Sequence, residues 1–277
     1  MALVIILLAL LIERIALFIH PIRDHYWFER YSQKLARLMC KNAYLSLSFG
    51  VLPLILAVYL AHIFLARISF GWPSWIFDLA ILVYCLGNTH LHIQTRECYE
   101  QIDAGNIETA RDLLREHFDV IESGDVTASV LLKAFYRASL QRIFSILFWF
   151  VLLGPAGAIF YRLLQKLSIY REDGVIENTH RLAAQLTAVL DWVPARLLAF
   201  TFCLAGHFID IFTQWRAKCT SGLNNPHDIL YECGYVAVNV NDSLTKTVVL
   251  AQFDEAYYLV CRSLFIWLVV LALVILF

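Results

Sequence analysis

Asp191-Trp192-Val193-Pro194-Ala195-Arg196 sets an acid and a base five positions apart, with an indole and a proline between them. Two readings of this stretch stand side by side. In one it is a helix cap with a local ion pair. Pro194 disfavours the helical conformation for Val193, fits the first turn of a helix itself, and leaves Asp191 near a helix N-terminus. In the other it is a charged site at the mouth of a cytoplasm-facing cleft. Arg196 then supplies a bidentate anion contact that lysine does not reproduce, and Trp192 anchors at the membrane interface. His92 and Arg96, four apart, face one cleft in the same spirit, and Arg142 is either an interface anchor or an anion contact. The candidate ligand-binding set is therefore His92, Arg96, Arg142, Asp191, Trp192 and Arg196. His90 and His92, two apart, point to different helix faces and do not suggest a shared metal. His207 and Asp210 share a face and suggest a structural hydrogen bond. No P-loop, G-x-S-x-G or zinc spacing occurs. The seven cysteines form no C-x-x-C pair and read as small packed hydrophobes. The residues assign no catalytic group, metal set or cofactor.

These residues must be positioned by elements that live in lipid. Of 277 residues, 60% are hydrophobic and 16% charged, with a mean hydropathy of +0.64. A soluble domain has about 45–50% apolar and about 25% charged residues. The chain reads as an all-α integral membrane protein with about four transmembrane helices plus amphipathic and extramembrane helices. Its net charge of -1 gives no argument for a nucleic-acid partner.

The order of segments follows from where charge interrupts the apolar runs. Residues 1–41 hold an apolar run carrying Glu13-Arg14, either interfacial or packed with the pair satisfied. A basic, aromatic helix on the membrane surface follows it. Residues 42–93 form a transmembrane hairpin, 43–66 and 75–93, with Asp78 near the mouth of the second span and solvated there. Residues 94–142 carry both charge signs and read as a helical hairpin turning at Gly105-Asn106. Residues 143–165 form a kinked span or a re-entrant segment broken at Gly154-Pro155. Residues 166–256 are a polar helical region containing the Asp-Trp-Val-Pro-Ala-Arg stretch, with a short apolar run at 197–212 and Ser243 as a cap. Residues 257–277 are a last span. Basic residues in 21–41 and 94–142 place those segments in the cytoplasm, so the expected location is a bacterial inner membrane, crossed several times.

Glu13-Arg14 in its apolar run, Leu91-His92, Leu147-Phe148-Trp149 before a glycine-rich kink, and Leu190 through Leu197 together resemble the AmpE family. These are inner-membrane regulatory proteins of β-lactamase induction. That family is similar in turn to adenosylcobinamide-phosphate synthase, which joins an amino-alcohol phosphate to a corrinoid carboxylate. His20-Pro21-Ile22-Arg23, Ala104 through Arg111 and Pro194-Ala195-Arg196 resemble synthase motifs, with Asn106 in place of an Asp. Elsewhere the synthase acids are replaced. Lys133, Ala138 and Gln141-Arg142 occupy one acidic region, and Leu164-Gln165-Lys166-Leu167 occupies another.

The resemblance implies a synthase scaffold without its chemistry, in a non-enzymatic protein that senses cell-wall status. It also implies a retained cleft for an unidentified small ligand and a protein partner in β-lactamase regulation. The alternative is a membrane-bound cobalamin-biosynthesis enzyme of the synthase type. A transporter is disfavoured, because the polar stretches are long.

Overall fold

The structure is a computed structural model that describes residues 2–15, 43–67, 72–86, 91–118, 127–169, 177–219, 226–238 and 246–276. The basic segment 21–41, His90 and Ser243 lie outside the described residues. Every described element is a helix. They fall into two units, Met1–Asn88 with Ser145–Leu190, and Thr89–Phe144 with Asp191–Phe277.

The first unit holds α1 (Ala2–Ile15), α2 (Ala43–Arg67), α3 (Trp72–Cys85) and α7 (Ser145–Ile169). It also holds the first half of α8 (Glu177–Ala205). α3 packs against α1, α2 and α7. Among these apolar helices polar side chains are turned inward. Glu13 is buried, and His62 Nδ1 lies 2.7 Å from Asp78 Oδ1. Asp78 is thus not solvated at a span mouth, as the sequence suggests; it is buried and answered by a histidine one helix away. α3 itself has 14 residues, or about 21 Å, short of the ~30 Å apolar core of a bilayer.

The break expected in the third apolar run is present. Gly154 adopts φ 68°, ψ -157° within α7. That backbone is open to glycine because it has no Cβ, and Pro155 cannot donate across the break. Gly157 lies one turn beyond. A Cβ there would sit 2.5 Å from the Trp149 carbonyl oxygen.

The second unit holds α4 (Leu91–Asp103), α5 (Ile107–Phe118), α6 (Ala128–Ser139), α9 (Phe208–Lys218), α10 (Asp228–Ala237), α11 (Lys246–Leu276) and the second half of α8. Gly105 turns α4 into α5 with φ 78°. A five-residue π-helical turn, Leu140–Phe144, follows α6. Tyr136 ties three helices together. Its ring meets Phe202 of α8 at 5.6 Å, and its hydroxyl donates to the Gly234 carbonyl of α10 at 3.3 Å.

Four described helical segments are long and apolar enough to cross a membrane: Leu47–Arg67, Ala128–Ile169, Asn178–Ala205 and Val249–Val274. Only 11% of the first and 22% of the last are buried inside the protein, against 61% and 50% of the middle two. The first and last are thus mostly exposed along their apolar lengths, and half or more of each of the other two is buried. This set differs from the sequence reading at Asn178–Ala205, which that reading divides between a polar region and a short apolar run at 197–212.

The difference has one cause. Pro194 reads as a helix start, yet α8 begins at Glu177 and runs through it. Val193 is helical, not extended, and Asp191 lies mid-helix, far from any N-terminus, so the cap reading falls. An interior proline forfeits one backbone hydrogen bond. Packed membrane helices tolerate that loss because neighbouring groups satisfy the freed carbonyl.

Candidate functional site

The polar cluster of the second unit is built where the π turn meets the middle of α8. A π turn inserts one residue into the helical ladder, and such turns recur at functional sites. Here it buries Gln141, whose Nε2 donates to Asp191 Oδ2 at 2.9 Å. Asp191 is wholly buried. His227, immediately before α10, brings Nε2 to 3.6 Å from the same carboxylate oxygen.

The imidazole makes no capping hydrogen bond to α10, and its Nδ1 is buried with no hydrogen-bond partner. Burial first, and then the positive charge of Arg137, push His227 down to about 3. The 3.6 Å approach is therefore one of a neutral ring to a carboxyl group, not an ion pair. Such a ring offers one acceptor nitrogen and one donor nitrogen. The set Gln141, Asp191 and His227 can hold an imidazole in one orientation, with its second nitrogen buried and without a hydrogen-bond partner.

Arg196 lies about 140° round α8 from Asp191 and serves a different contact. Its guanidinium sits over the Trp192 ring at 3.9 Å. Nε donates to the Cys219 carbonyl at 2.6 Å and Nη1 to the Trp192 carbonyl at 3.1 Å. Trp215 Nε1 donates back to the Arg196 carbonyl at 3.1 Å. Arg196 thus clamps α8 to both ends of the last turn of α9.

The remaining candidates lie elsewhere in the unit. His92 Nε2 meets Asp254 Oδ1 of α11 at 2.7 Å, and its ring packs on Tyr257 at 4.8 Å. Arg96 lies 3.8 Å from Glu100 across a solvent-exposed turn of its own helix. Arg142 donates to the His117 carbonyl, answering one of the acceptors left over at the end of α5. Adjacent residues of the π turn thus do opposite jobs: Gln141 serves the cluster, while Arg142 closes a helix end. His207 and Asp210 are both exposed.

Burial pushes the Cys98 and Cys233 thiols up to about 12, so neither offers a thiolate nucleophile. Among the described residues no group of three or more His, Cys, Asp or Glu side chains is arranged to hold a metal.

Gln141 and His227 are absent from the sequence-based set. Gln141 draws notice in the sequence only as a replaced acid. Pro226-His227-Asp228 has no partner at readable spacing, since Asp191 is 36 positions away.

Fold and site define the class: an all-helical, multi-pass membrane protein with a carboxyl–imidazole cluster in its second unit. The model of the family described as CobD/Cbib protein matches residues 2–227, and the chain belongs to that family. It is similar to a "Cobalamin biosynthesis protein CobD" of Chromobacterium violaceum, at 26% identity over 151 residues, which is 52% of this chain and 47% of that one. It is also similar to a protein of the same name from Stutzerimonas stutzeri, at 35% identity over 79 residues, 27% of this chain and 26% of that one. The chain thus spans about half the length of the first relative and about a quarter of the second. No solved structure matches it.

These matches correct the expectation of a non-enzyme. That expectation rested on substituted acids, whereas the chain belongs to the CobD/Cbib family and both relatives are named as cobalamin biosynthesis proteins. They reach the wider family rather than the regulatory branch, and neither name concerns β-lactamase induction.

Proposed function

We propose that this chain is a membrane-bound enzyme of the adenosylcobinamide-phosphate synthase type, joining an amino-alcohol phosphate to a corrinoid carboxylate as an amide, in the inner membrane of a bacterium. The observation that carries this reading is the extent of the family match. It runs from residue 2 to residue 227 and so takes in every member of the buried cluster.

Amide formation from a carboxylate needs a nucleoside triphosphate to phosphorylate the carboxyl oxygen, and an amine held with its lone pair toward the carboxyl carbon. The C–N bond then forms as the C–O bond breaks and the oxygen leaves with the phosphate. In this reading His227 Nε2 carries its proton toward Asp191, and Nδ1 accepts a hydrogen bond from the amine. Gln141 fixes the carboxylate that fixes the ring, so the ring orients the amine as a hydrogen-bond acceptor. Lys133 and Arg137 are exposed one turn apart on α6. Arg137 is close enough to depress His227. The pair supplies positive charge for a phosphate group.

Complementation tests the reading. The chain should restore cobalamin synthesis to a strain lacking its synthase, and His227→Gln should abolish the rescue at unchanged membrane abundance. Failure of the unaltered chain, inserted at normal abundance, would rule the reading out.

A further inference from the structure

The end of α8 and the start of α9 carry an apolar surface that the buried cluster does not use. Val193, Leu197 and Leu204 are exposed at spacings of four and seven, one face of α8, and lead into exposed Phe208 and Ile209. Ile209 is 79% exposed. Along α9 the rings form a ladder. Phe208 and Phe212 stack at 5.3 Å, Phe212 and Trp215 at 5.7 Å, and Trp215 meets Phe200 of α8 at 5.3 Å.

Two other facts say what covers this surface. α9 follows directly on Asn178–Ala205, a helix long and apolar enough to cross a membrane. Its last turn carries Arg216 and Lys218, and Arg216 is exposed. An 11-residue helix of this kind, aromatic on one flank and basic at its end, matches the chemistry of the headgroup layer. Asp210, about 100° round the helix from Ile209 and also exposed, marks the water side.

We propose that α9 lies in the headgroup layer of the bilayer, with Phe208 and Ile209 toward the acyl chains and Arg216 toward anionic phosphates. The bilayer surface then holds the Arg196 clamp at a fixed depth, because α9 is bonded to Arg196 at Trp215 and Cys219. This inference is independent of the reaction the chain performs.

The test places the photo-crosslinker p-benzoylphenylalanine at Ile209 in the full chain, reconstituted in phosphatidylcholine–phosphatidylglycerol vesicles with tritiated acyl chains. Parallel probes replace Leu204, at the end of the span, and Glu108, exposed on α5. Ile209 should give a labelled-lipid adduct equal to that at Leu204, with only background at Glu108. Arg216→Glu should lower the Ile209 adduct. An Ile209 adduct no higher than that at Glu108 would show the helix in water. A cross-linked dimer in place of lipid would show a second copy covering the face. Either result overturns the proposal.

Discussion

Replacing Gln141 with leucine, a side chain of similar size, removes the hydrogen bond it donates to Asp191 Oδ2 at 2.9 Å. Asp191 is fully enclosed, so no water replaces the lost donor. A hydrogen bond to a charged group is worth about 1.5–3 kcal/mol, and stranding a buried polar group costs about 1–3 kcal/mol. Gln141→Leu should therefore destabilise the protein by about 2–3 kcal/mol. Asp191→Leu removes the acceptor of the Gln141 Nε2 hydrogen bond and should cost about 1–3 kcal/mol. With both replaced, the Gln141–Asp191 hydrogen bond is lost once rather than counted twice, and the double variant should be about 2 kcal/mol more stable than the sum of the singles predicts. Hydrogen bonds between membrane helices average only ~0.6 kcal/mol in such cycles, with a maximum of ~1.7 kcal/mol. A coupling near 2 kcal/mol would thus set this pair apart from an ordinary interhelical bond. The assay is unfolding by sodium dodecyl sulfate in mixed micelles for all four proteins. Additivity within about 0.5 kcal/mol would refute the claim that Gln141 holds the carboxylate.

Arg196→Lys leaves the charge but cannot span two carbonyls while stacking on Trp192. A loss of about 2 kcal/mol is expected, read as a lower unfolding midpoint in detergent. A Cβ at Gly234 would stand 2.5 Å from the Tyr136 ring, so Gly234→Ala should cost about 1–3 kcal/mol of overpacking; thermal stability in detergent measures it, and an unchanged midpoint would show that the ring yields freely. His227 is pushed down to about 3 from 6.5, so below pH ~6.5 the unfolded chain takes up a proton that the folded chain refuses. Its contribution to stability is complete above that pH and is lost as pH falls toward about 3, at up to ~1.4 kcal/mol per pH unit. His227→Gln should flatten that part of the stability–pH curve, and an identical slope in both proteins would refute the burial of a neutral ring.

The apolar runs made the all-helical membrane class legible, and Gly154-Pro155 and Gly105 marked a break and a turn that local backbone chemistry enforces. Pro194 misled because its local preference is for a helix start, whereas α8 runs through it. The same proline split Asn178–Ala205 into a polar region and a short apolar run in the sequence.

Within the site, Asp191 stands out by type, an acid beside a long apolar run. Its partners do not. Gln141 lies 50 positions away and faces inward through a π turn that leaves no sequence signature. His227 reaches the carboxylate through the fold alone. Arg196 is legible as a functional-looking cation, but its contacts at Cys219 and Trp215 make it a clamp. The substituted acids at Lys133, Ala138 and Gln141 suggested lost chemistry, because a missing motif is visible in sequence, whereas a cluster drawn from positions 141, 191 and 227 is not.

The most direct test of the enzyme reading is the reaction itself. The purified chain in phospholipid vesicles is given a corrinoid carboxylate, an amino-alcohol phosphate and ATP with magnesium, and the product is sought by mass spectrometry. The account predicts the amide, formed by the unaltered chain and lost in His227→Gln and Asp191→Asn proteins that remain folded. No amide from the folded chain, while the Chromobacterium violaceum relative makes it under the same conditions, would contradict the account.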